Sequence, residues 1–268
     1  MPAYAADCLP GATTRGCTAF ELPRAVNGTC PCPGAGTLAA FTLTVGYVYV
    51  PGLGNATRRL VGANGTVPGP AIVVDEGDWV VVDVTNALDV PTVVHWHGML
   101  HVGTPFADGV PGVSQCLVPP GDSLRYTFRA SLPGTYWYHG HHDSQYVEGL
   151  HGPLIIRPRG GDAADVHADV DATLMVMDYY QTPANELMND YFLTPASGGA
   201  EPVPDATAVN GAFTRSLAIA AARGQQLRLR FFAANALRMF SVSIDGLPLS
   251  IVEIDGTAVV PLEVRSGW

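Results

Sequence analysis

Two short histidine pairs are the residues of this sequence best placed to do chemistry. They occur in "VVHWHGML", which contains His95 and His97, and in "WYHGHHD", which contains His139 and His141. Successive side chains of a strand point to opposite faces, so the two members of each pair share a face. If the two strands are neighbours, four imidazoles meet in one small volume and form a metal centre. Neutral imidazole binds zinc, copper, iron and nickel, so the spacing alone leaves the metal open.

The alternative is that these histidines are ordinary residues of the core. A single histidine in an apolar strand is usually hydrogen-bonded there without any metal, and one pair is weak evidence for a ligand set. Four buried imidazoles without a metal would leave several ring nitrogens short of hydrogen-bond partners. The presence of two pairs, both close to tryptophan and glycine, therefore favours the metal centre.

The elements that must position these pairs are predicted to be short strands. Hydrophobic residues make up 47% of the chain and charged residues 14%, with 30 glycines and 22 prolines, which is typical of strands joined by many turns. Runs rich in β-branched and aromatic residues alternate in polarity at 41–50, 71–88, 123–130 and 152–158. No short period repeats, which argues against solenoids and propellers. The predicted fold class is all-β, as a sandwich or barrel.

The chain is predicted to divide at the polar, glycine-bearing segment "RPRGGDAADVHADV". We place a cysteine-containing N-terminal extension at 1–39, a first domain at 40–158, a linker at 159–170 and a second domain at 171–268. The strand-rich runs of the second domain are 172–180, 207–211, 225–234, 240–255 and 258–268. Their alternating pattern still continues at the final residue. We therefore expect the second domain to be truncated at its C-terminus and the chain to be a fragment.

The charge and hydropathy of the chain exclude two classes of partner. Its net charge of −10, from 14 basic and 24 acidic residues, would repel phosphate backbones and anionic lipid surfaces, so we expect no nucleic-acid partner. No run reaches the roughly 18 to 20 consecutive apolar residues that a membrane helix needs. Residues 1–25 also lack the basic start and apolar block of a signal peptide.

Sequons and cysteines in the first 70 residues indicate the secretory pathway, although no signal peptide is visible. These residues are Asn27, Asn55 and Asn64 in N-x-[ST] sequons, together with Cys8, Cys17, Cys30 and Cys32. The four cysteines allow two disulfides in three connectivities, which the sequence does not distinguish. A cytosolic location stays open as the alternative, since a single sequon arises easily by chance. We expect a secreted, disulfide-bonded glycoprotein.

Several longer stretches resemble the first domain of the multicopper oxidases, the family of laccases, ascorbate oxidases and fungal iron oxidases. They are "NGTVPGPAIVVDEGDWVVVDVTNAL", "VVHWHGML", "ADGVPGVSQCLVPPGDSLRYTF" and "GTYWYHGHHDSQYVEGLHGPLIIRP". The resemblance continues through "GGAEPVPDATAVNG" and "ALRMFSVSIDGLPLSIVEIDG", and it covers roughly residues 40 to 268. It implies Greek-key β-sandwich domains of the cupredoxin type, two in tandem with the second incomplete.

The resemblance also implies a role for each member of the two pairs. His95 takes the position of a ligand to the type 2 copper, and His97, His139 and His141 take positions of ligands to the type 3 coppers. Copper is thus the implied cofactor. O₂ and a small reducing substrate are the implied reaction partners. A group of coppers can collect the four electrons that reduce O₂ to water, while the protein fixes geometry and supplies protons.

Two aspartates inherit roles from the same resemblance. Asp108, in the D-G-V-P segment, corresponds to the residue that helps to deliver protons to reduced oxygen. Asp178, in "LMVMDYYQ", corresponds to an acid that borders the substrate pocket, where it faces a phenol in laccases or reduced iron in iron oxidases. The alternative for Asp178 is a strand-end acid exposed to water. Either role is an expectation from position alone.

Other candidate residues are given no ligand role. His101, His142 and His151 fall at positions that are not ligands in the family, so we expect ordinary surface or supporting histidines there. Met175 and Met177, two residues apart on an apolar strand, are expected in the core. Cys116 corresponds to a disulfide-bonded position, with its partner either among the N-terminal cysteines or in polypeptide beyond this chain.

Two motifs of the family's C-terminal domain, H-P-x-H-x-H and H-C-H-x-x-x-H, do not occur in the printed sequence. A blue copper site needs a cysteine thiolate with histidines close by, and after Cys116 the next histidine is His139. The type 1 site and half of the trinuclear ligands are therefore missing from these residues. We expect the chain alone to be inactive, with the remaining ligands supplied by a C-terminal cupredoxin domain.

The leading functional hypothesis is a laccase-like multicopper oxidase. Such an enzyme couples one-electron oxidation of phenols, aromatic amines or metal ions to the four-electron reduction of O₂. One alternative is a non-catalytic, copper-binding cupredoxin glycoprotein that has lost its catalytic half. Another is a two-domain oxidase that assembles its cluster between subunits, which the absence of H-C-H disfavours.

Overall fold

The fold of the chain is described by a computed structural model over residues 37–160, 168–213 and 217–265. It is 46% strand and 8% helix, which confirms the all-β prediction. The strands are β1 Leu38–Pro51, β2 Thr57–Ala63, β3 Ile72–Asp75, β4 Trp79–Asn86, β5 Val94–His97, β6 Ser123–Arg129, β7 Gly134–Gly140, β8 His151–Arg157, β9 Val170–Tyr179, β10 Ala206–Val209, β11 Leu227–Ala233, β12 Pro248–Ile254 and β13 Thr257–Arg265. The short helix α1 is Ala184–Leu187, with helical turns at Leu53–Asn55, Pro105–Ala107, Met188–Phe192 and Pro195–Ser197.

Several sequence predictions fall outside the described residues. These are the N-terminal extension up to residue 36 with its four cysteines and the Asn27 sequon, the central part of the linker at 161–167, and residues 266–268. The first strand begins at Leu38, two residues before the predicted start of the first domain, because residues 38–40 pair in parallel with the first residues of β4. Within the described ranges, no helix has the length and apolarity needed to cross a bilayer.

Strands β1 to β8 form two four-stranded sheets. One has the order β2-β1-β4-β6 and the other the order β3-β8-β7-β5. The predicted run at 71–88 is split between these sheets, because a turn that contains Gly77 separates β3 from β4. Alternate residues of β4, namely Val80, Val82 and Val84, are fully buried with Trp96 in one apolar core. This core fixes which face of each strand points inward.

Strands β9 to β13 build a smaller second part of the chain. Its three-stranded sheet has the order β10-β9-β11, and β12 pairs with β13 as a separate antiparallel hairpin. Met175 and Met177 are buried in a cluster with Phe232 of β11 and Ile155 of β8, which confirms their assignment to the core. The cluster therefore joins the second sheet to the first part of the chain.

One predicted strand-rich run is only partly strand. In the run at 240–255, residues 240–247 are irregular and Pro248–Ile254 forms β12. In the described part of the chain no strand pairs with 240–247, so its backbone has no ladder to join. Alternating hydrophobicity alone is not enough to make a strand without such a partner.

Polar contacts also hold the two parts together. Arg58 of β2 forms a buried ion pair with Glu148, with 2.6 Å between Nη2 and Oε2. Arg58 Nε also donates to the carbonyl oxygen of Tyr180, and the amide of Ala184 donates to Glu148 Oε1. A second contact joins β7 to β12, where the amide of Thr135 donates to a carboxylate oxygen on β12 at 2.7 Å. These contacts hold both β7 and the segment that follows it against the second part of the chain.

Candidate metal centre

The register between β5 and β7 places the two histidine pairs side by side. In this antiparallel pairing His95 lies opposite His139 and His97 lies opposite Trp137. Trp96, between the two histidines, is 0% exposed and packs on the opposite face in the apolar core. The imidazoles therefore project from the face of the sheet that the core does not occupy, because side chains alternate along each strand.

Three of the four imidazoles converge on one point. His95, His97 and His139 each offer a ligand atom, and these three atoms lie within 4.8 Å of one another. His141 follows the end of β7, and its ring centroid is 5.3 Å from that of His95 and 5.9 Å from that of His139. The structure thus brings all four predicted ligands into one cluster of rings, with His95, His97 and His139 closest.

In two of the histidines, a backbone carbonyl oxygen determines which ring nitrogen is available to bind a metal ion. His95 Nδ1 lies 2.6 Å from the carbonyl oxygen of Asp108, and His139 Nδ1 lies 2.9 Å from that of Gly140. A carbonyl oxygen only accepts, so each Nδ1 carries the proton and each Nε2 keeps a lone pair. His97 Nδ1 lies 3.3 Å from His139 Nε2, a distance that suits one hydrogen bond or two lone pairs directed at one ion. Such anchoring of the non-ligating nitrogen is usual for metal-bound histidine.

Desolvation favours the neutral form of His97 and His139. Desolvation lowers the pKa of His139 to about 3, with smaller effects from the neighbouring imidazoles. Desolvation likewise lowers the pKa of His97, helped by repulsion from His95. An imidazole binds a metal ion only in its neutral form, so both residues are held in the binding-competent state at neutral pH.

Asp108 lies directly beside the cluster. It caps the helical turn Pro105–Ala107, and its Oδ1 is 3.4 Å from His95 Nδ1 and 3.5 Å from His101 Nε2. The following residue, Gly109, has φ +84°, and a Cβ on it would lie 1.9 Å from the carbonyl oxygen of Val94. Only glycine allows this loop to press against the backbone of β5, which brings the carbonyl and carboxylate of Asp108 to His95.

Asp178 is engaged elsewhere. It is 2% exposed, so the alternative of a strand-end acid exposed to water is wrong. Its Oδ2 accepts from the backbone amides of Ala236, Leu237 and Arg238 at 2.8–3.1 Å. These contacts link the end of β9 to the loop after β11. Among the described residues, the Asp178 carboxylate is hydrogen-bonded to that loop and not to any of the four histidines.

The remaining histidines differ in burial. His142 is partly exposed, but His101 and His151 are 8% and 0% exposed, so of the two expected readings, a surface or a supporting histidine, only the second remains for these two residues. His151 lies opposite His139 on β8, and its Nδ1 is 3.2 Å from the carbonyl oxygen of Tyr146. The sequence offered no periodic signal for His101, because it lies in an irregular loop.

One aromatic neighbour of the cluster was missed from the sequence. The ring of Trp137 is 4.3 Å from that of His139 and 5.3 Å from that of His97, both centroid to centroid. Trp137 is two residues before His139 on β7, so strand alternation alone would have placed it on the same face.

Cys116 is exposed, and its predicted pairing with an N-terminal cysteine lies outside the described residues.

Comparison with known proteins defines the family. Family models described as "Multicopper oxidase" match residues 44–161 and 171–266. Laccase-4 of Thanatephorus cucumeris is 38% identical over 231 residues, which cover 78% of this chain and 42% of that protein. The iron transport multicopper oxidase fio1 of Schizosaccharomyces pombe is 39% identical over 220 residues, which cover 80% of this chain and 34% of that protein. The crystal structure of a laccase from Botrytis aclada superposes with a TM-score of 0.76 at 32% identity, covering 86% of this chain and 44% of that one.

The chain belongs to the multicopper oxidase family, whose members are copper-dependent oxidoreductases that use O₂ and a reducing substrate. Its fold is cupredoxin-like, as the sequence predicted. The chain spans less than half the length of the two relatives named above. The donor set fits copper, because three imidazoles converge and two of them have their lone pairs fixed at Nε2 by backbone carbonyls.

Proposed function

We propose that this chain provides one half of a copper cluster in a laccase-like multicopper oxidase. The whole enzyme would couple one-electron oxidation of phenols, aromatic amines or metal ions to the reduction of O₂ to water. The observation that supports this most strongly is the convergence of the ligand atoms of His95, His97 and His139 within 4.8 Å. Bound copper would supply the electron transfer to O₂, while the side chains of this chain hold and orient the cluster.

The proposed ligand roles are those that the resemblance to the family implies, and the convergence of the rings supports them. His95 would bind the type 2 copper, and His97, His139 and His141 would bind the type 3 coppers. The backbone carbonyls at Asp108 and Gly140 hold the rings of His95 and His139 in the required tautomer. Asp108, with its carboxylate 3.4 Å from His95, would deliver protons to the oxygen site.

We further propose that the other cluster ligands and the type 1 copper site come from a C-terminal cupredoxin domain that is not among these 268 residues. This is supported by the absence of an H-C-H motif from the printed sequence and by the greater length of the relatives. Without that domain the chain would bind copper but would not turn over. A blue copper site needs a thiolate that these residues do not provide near histidine.

Asp178 is proposed to shape the pocket of the reducing substrate. Because its side chain is buried and accepts three backbone amides, it would act by holding the 236–238 loop and not by touching the substrate. Its Oδ1 has no hydrogen-bond partner among the described residues. Whether the substrate is a phenol or a metal ion depends on the rest of the pocket.

We also propose that the protein passes through the secretory pathway as a glycoprotein. Asn64 is exposed in a turn after β2, where its Nδ2 donates one hydrogen bond to the carbonyl oxygen of Thr42 at 2.9 Å. A side-chain amide has two N–H groups, so the second stays available for a glycan. Mass spectrometry of the secreted protein would detect this modification, and an unmodified Asn64 would contradict it.

Copper titration of the 268-residue chain tests the proposed function. We expect the wild-type chain to bind Cu(I) or Cu(II), and we expect His139→Ala to weaken binding at least about tenfold because it removes a ligand. His142→Ala is the matched control, since His142 is next in sequence to His141 but is given no ligand role. It should leave the affinity unchanged.

The same experiment distinguishes the alternatives. Equal copper affinity in wild type and His139→Ala would overturn the proposed ligand set. Copper binding without oxidase activity in a polypeptide extended to include an H-C-H domain would favour the non-catalytic copper-binding glycoprotein instead. Oxidase activity of the 268-residue chain by itself would contradict the proposal that the remaining ligands come from elsewhere.

A further inference from the structure

His101 is a buried histidine with an unusual backbone conformation, and it lies next to Asp108. It follows β5 by four residues and has φ +45°, in the left-handed region that non-glycine residues seldom adopt. Its carbonyl oxygen accepts the amide of Thr104, which closes a tight turn. The imidazole points into the protein, where it is 8% exposed and contacts the ring of Phe128 at 5.3 Å between centroids. A polar ring that is not a proposed copper ligand is thus buried in the same loop that carries Asp108.

The polar neighbour of this ring is Asp108. His101 Nε2 lies 3.5 Å from Asp108 Oδ1, and neither ring nitrogen has a hydrogen-bond partner among the described residues. A buried polar atom without a partner is energetically unfavourable, so a nearby acceptor would be used. An ideal N–H···O contact is about 2.9 Å, so a shift of roughly half an ångström completes the hydrogen bond.

The protonation of His101 and the distances around Asp108 support this contact. Burial lowers the pKa of His101 to about 4, so at neutral pH the ring has a single N–H. A carboxylate oxygen only accepts, so the proton is needed on Nε2. His95 Nδ1 is closer to the carbonyl oxygen of Asp108, at 2.6 Å, than to its carboxylate, at 3.4 Å. The carboxylate of Asp108 is therefore left for His101.

We propose that His101 is a positioning residue that donates its Nε2–H to Asp108 Oδ1 and holds that carboxylate against His95. The inference rests on the proposed role of Asp108 in proton delivery, and it adds a residue to which the sequence analysis assigns no specific role. The side chain of Asp108 is one-third exposed. Without the donor it would be free to turn towards water, away from the ring of His95.

The first test is the tautomer of His101 in the metal-free, full 268-residue chain. Long-range ¹H–¹⁵N correlation NMR of histidine-labelled protein distinguishes Nε2–H from Nδ1–H directly. We expect Nε2–H, with an Hε2 proton protected from exchange, and loss of that protected signal in Asp108→Ala. An Nδ1–H tautomer, or an Hε2 signal unchanged in Asp108→Ala, would overturn the proposal.

The second test is the side-chain rotamer of Asp108, measured from its three-bond couplings. We expect one rotamer in the wild type, averaging in His101→Leu, and one rotamer again in His101→Gln, whose amide keeps a donor on a side chain of similar length. His142→Leu is the control and should leave the couplings unchanged. A single Asp108 rotamer in His101→Leu would contradict the positioning role.

Both readouts are made without copper, so they are independent of the proposed function. If the chain bound no copper while the tautomer and couplings behaved as expected, the proposed function would fail and the His101–Asp108 contact would stand. If copper bound as expected but the couplings did not respond, the proposed function would stand and the positioning role of His101 would fail. A His101→Leu variant that did not fold would leave the Asp108→Ala measurement to decide.

Discussion

His95 and His139 show how single residues prepare the metal centre. In each, a backbone carbonyl oxygen fixes the proton on Nδ1 and leaves Nε2 for a ligand, and burial keeps His139 neutral. The sequence predicted that these histidines share a face with their partners, because strand alternation needs only the residue order. It did not predict the carbonyls, because the one that fixes His95 belongs to Asp108, which lies in a loop 13 residues away.

Gly109 is predicted to be essential for bringing that loop to β5. Gly109→Ala should destabilise the protein by about 3 kcal/mol or more, because it adds a steric clash with the Val94 carbonyl oxygen to the cost of a left-handed backbone. Gly112→Ala is the matched control, since Gly112 also has a positive φ but open space around its Cα. It should cost only about 1–2 kcal/mol. Urea unfolding of both variants measures the difference, and equal values would show that the close approach to Val94 is unimportant.

His151 is predicted to make stability depend on pH. Burial lowers its pKa to about 4, below the ordinary value of 6.5, so between these values the unfolded chain binds a proton that the folded chain does not. The stability from this residue is complete above about pH 6.5 and is lost as the pH falls towards 4, with a slope of about 1.4 kcal/mol per pH unit. In urea unfolding from pH 4.5 to 6.5, His151→Gln should reduce the slope by that amount. His142→Gln should not, and an unchanged slope in His151→Gln would refute the assignment.

At the scale of the elements, the pairing of β5 with β7 creates the cluster. The sequence analysis assumes that both histidine pairs lie on strands, but it does not predict the register of those strands, because nothing local specifies that His95 lies opposite His139. The convergence of the pairs is implied by the resemblance to the family. The irregular segment 240–247 shows that a strand-like pattern is not sufficient by itself, since it has no partner strand in the described part of the chain.

The buried ion pair between Arg58 and Glu148 is predicted to anchor the segment that follows β7. Glu148→Gln should destabilise the protein by about 3–5 kcal/mol, because it leaves the buried guanidinium of Arg58 without a counter-charge. Asp83→Asn is the control, since it breaks an exposed pair with Arg125 that should contribute at most about 1 kcal/mol. Chemical denaturation measures both values. Similar small losses in the two variants would mean that the buried pair contributes no more than a surface one.

At the scale of the whole molecule, the described residues combine an eight-stranded first part with a smaller five-stranded second part. Composition and turn spacing were enough to predict an all-β fold, because short strands and frequent glycine and proline leave few other solutions. The contacts between the parts, such as Arg58 with Glu148 and Thr135 with β12, link residues 90 and 118 positions apart. Pairings of this kind depend on tertiary packing and have no local sequence signal.

Copper location is the measurement that tests the central claim most directly. Crystals of the 268-residue chain soaked in a copper salt would be examined in an anomalous difference map at the copper absorption edge. We predict copper peaks among the rings of His95, His97 and His139, each bound by ring nitrogens from this group at about 2 Å, the usual distance for a metal–imidazole bond. A map with no peak among these three rings, or with its only strong peak at another histidine, would contradict the account.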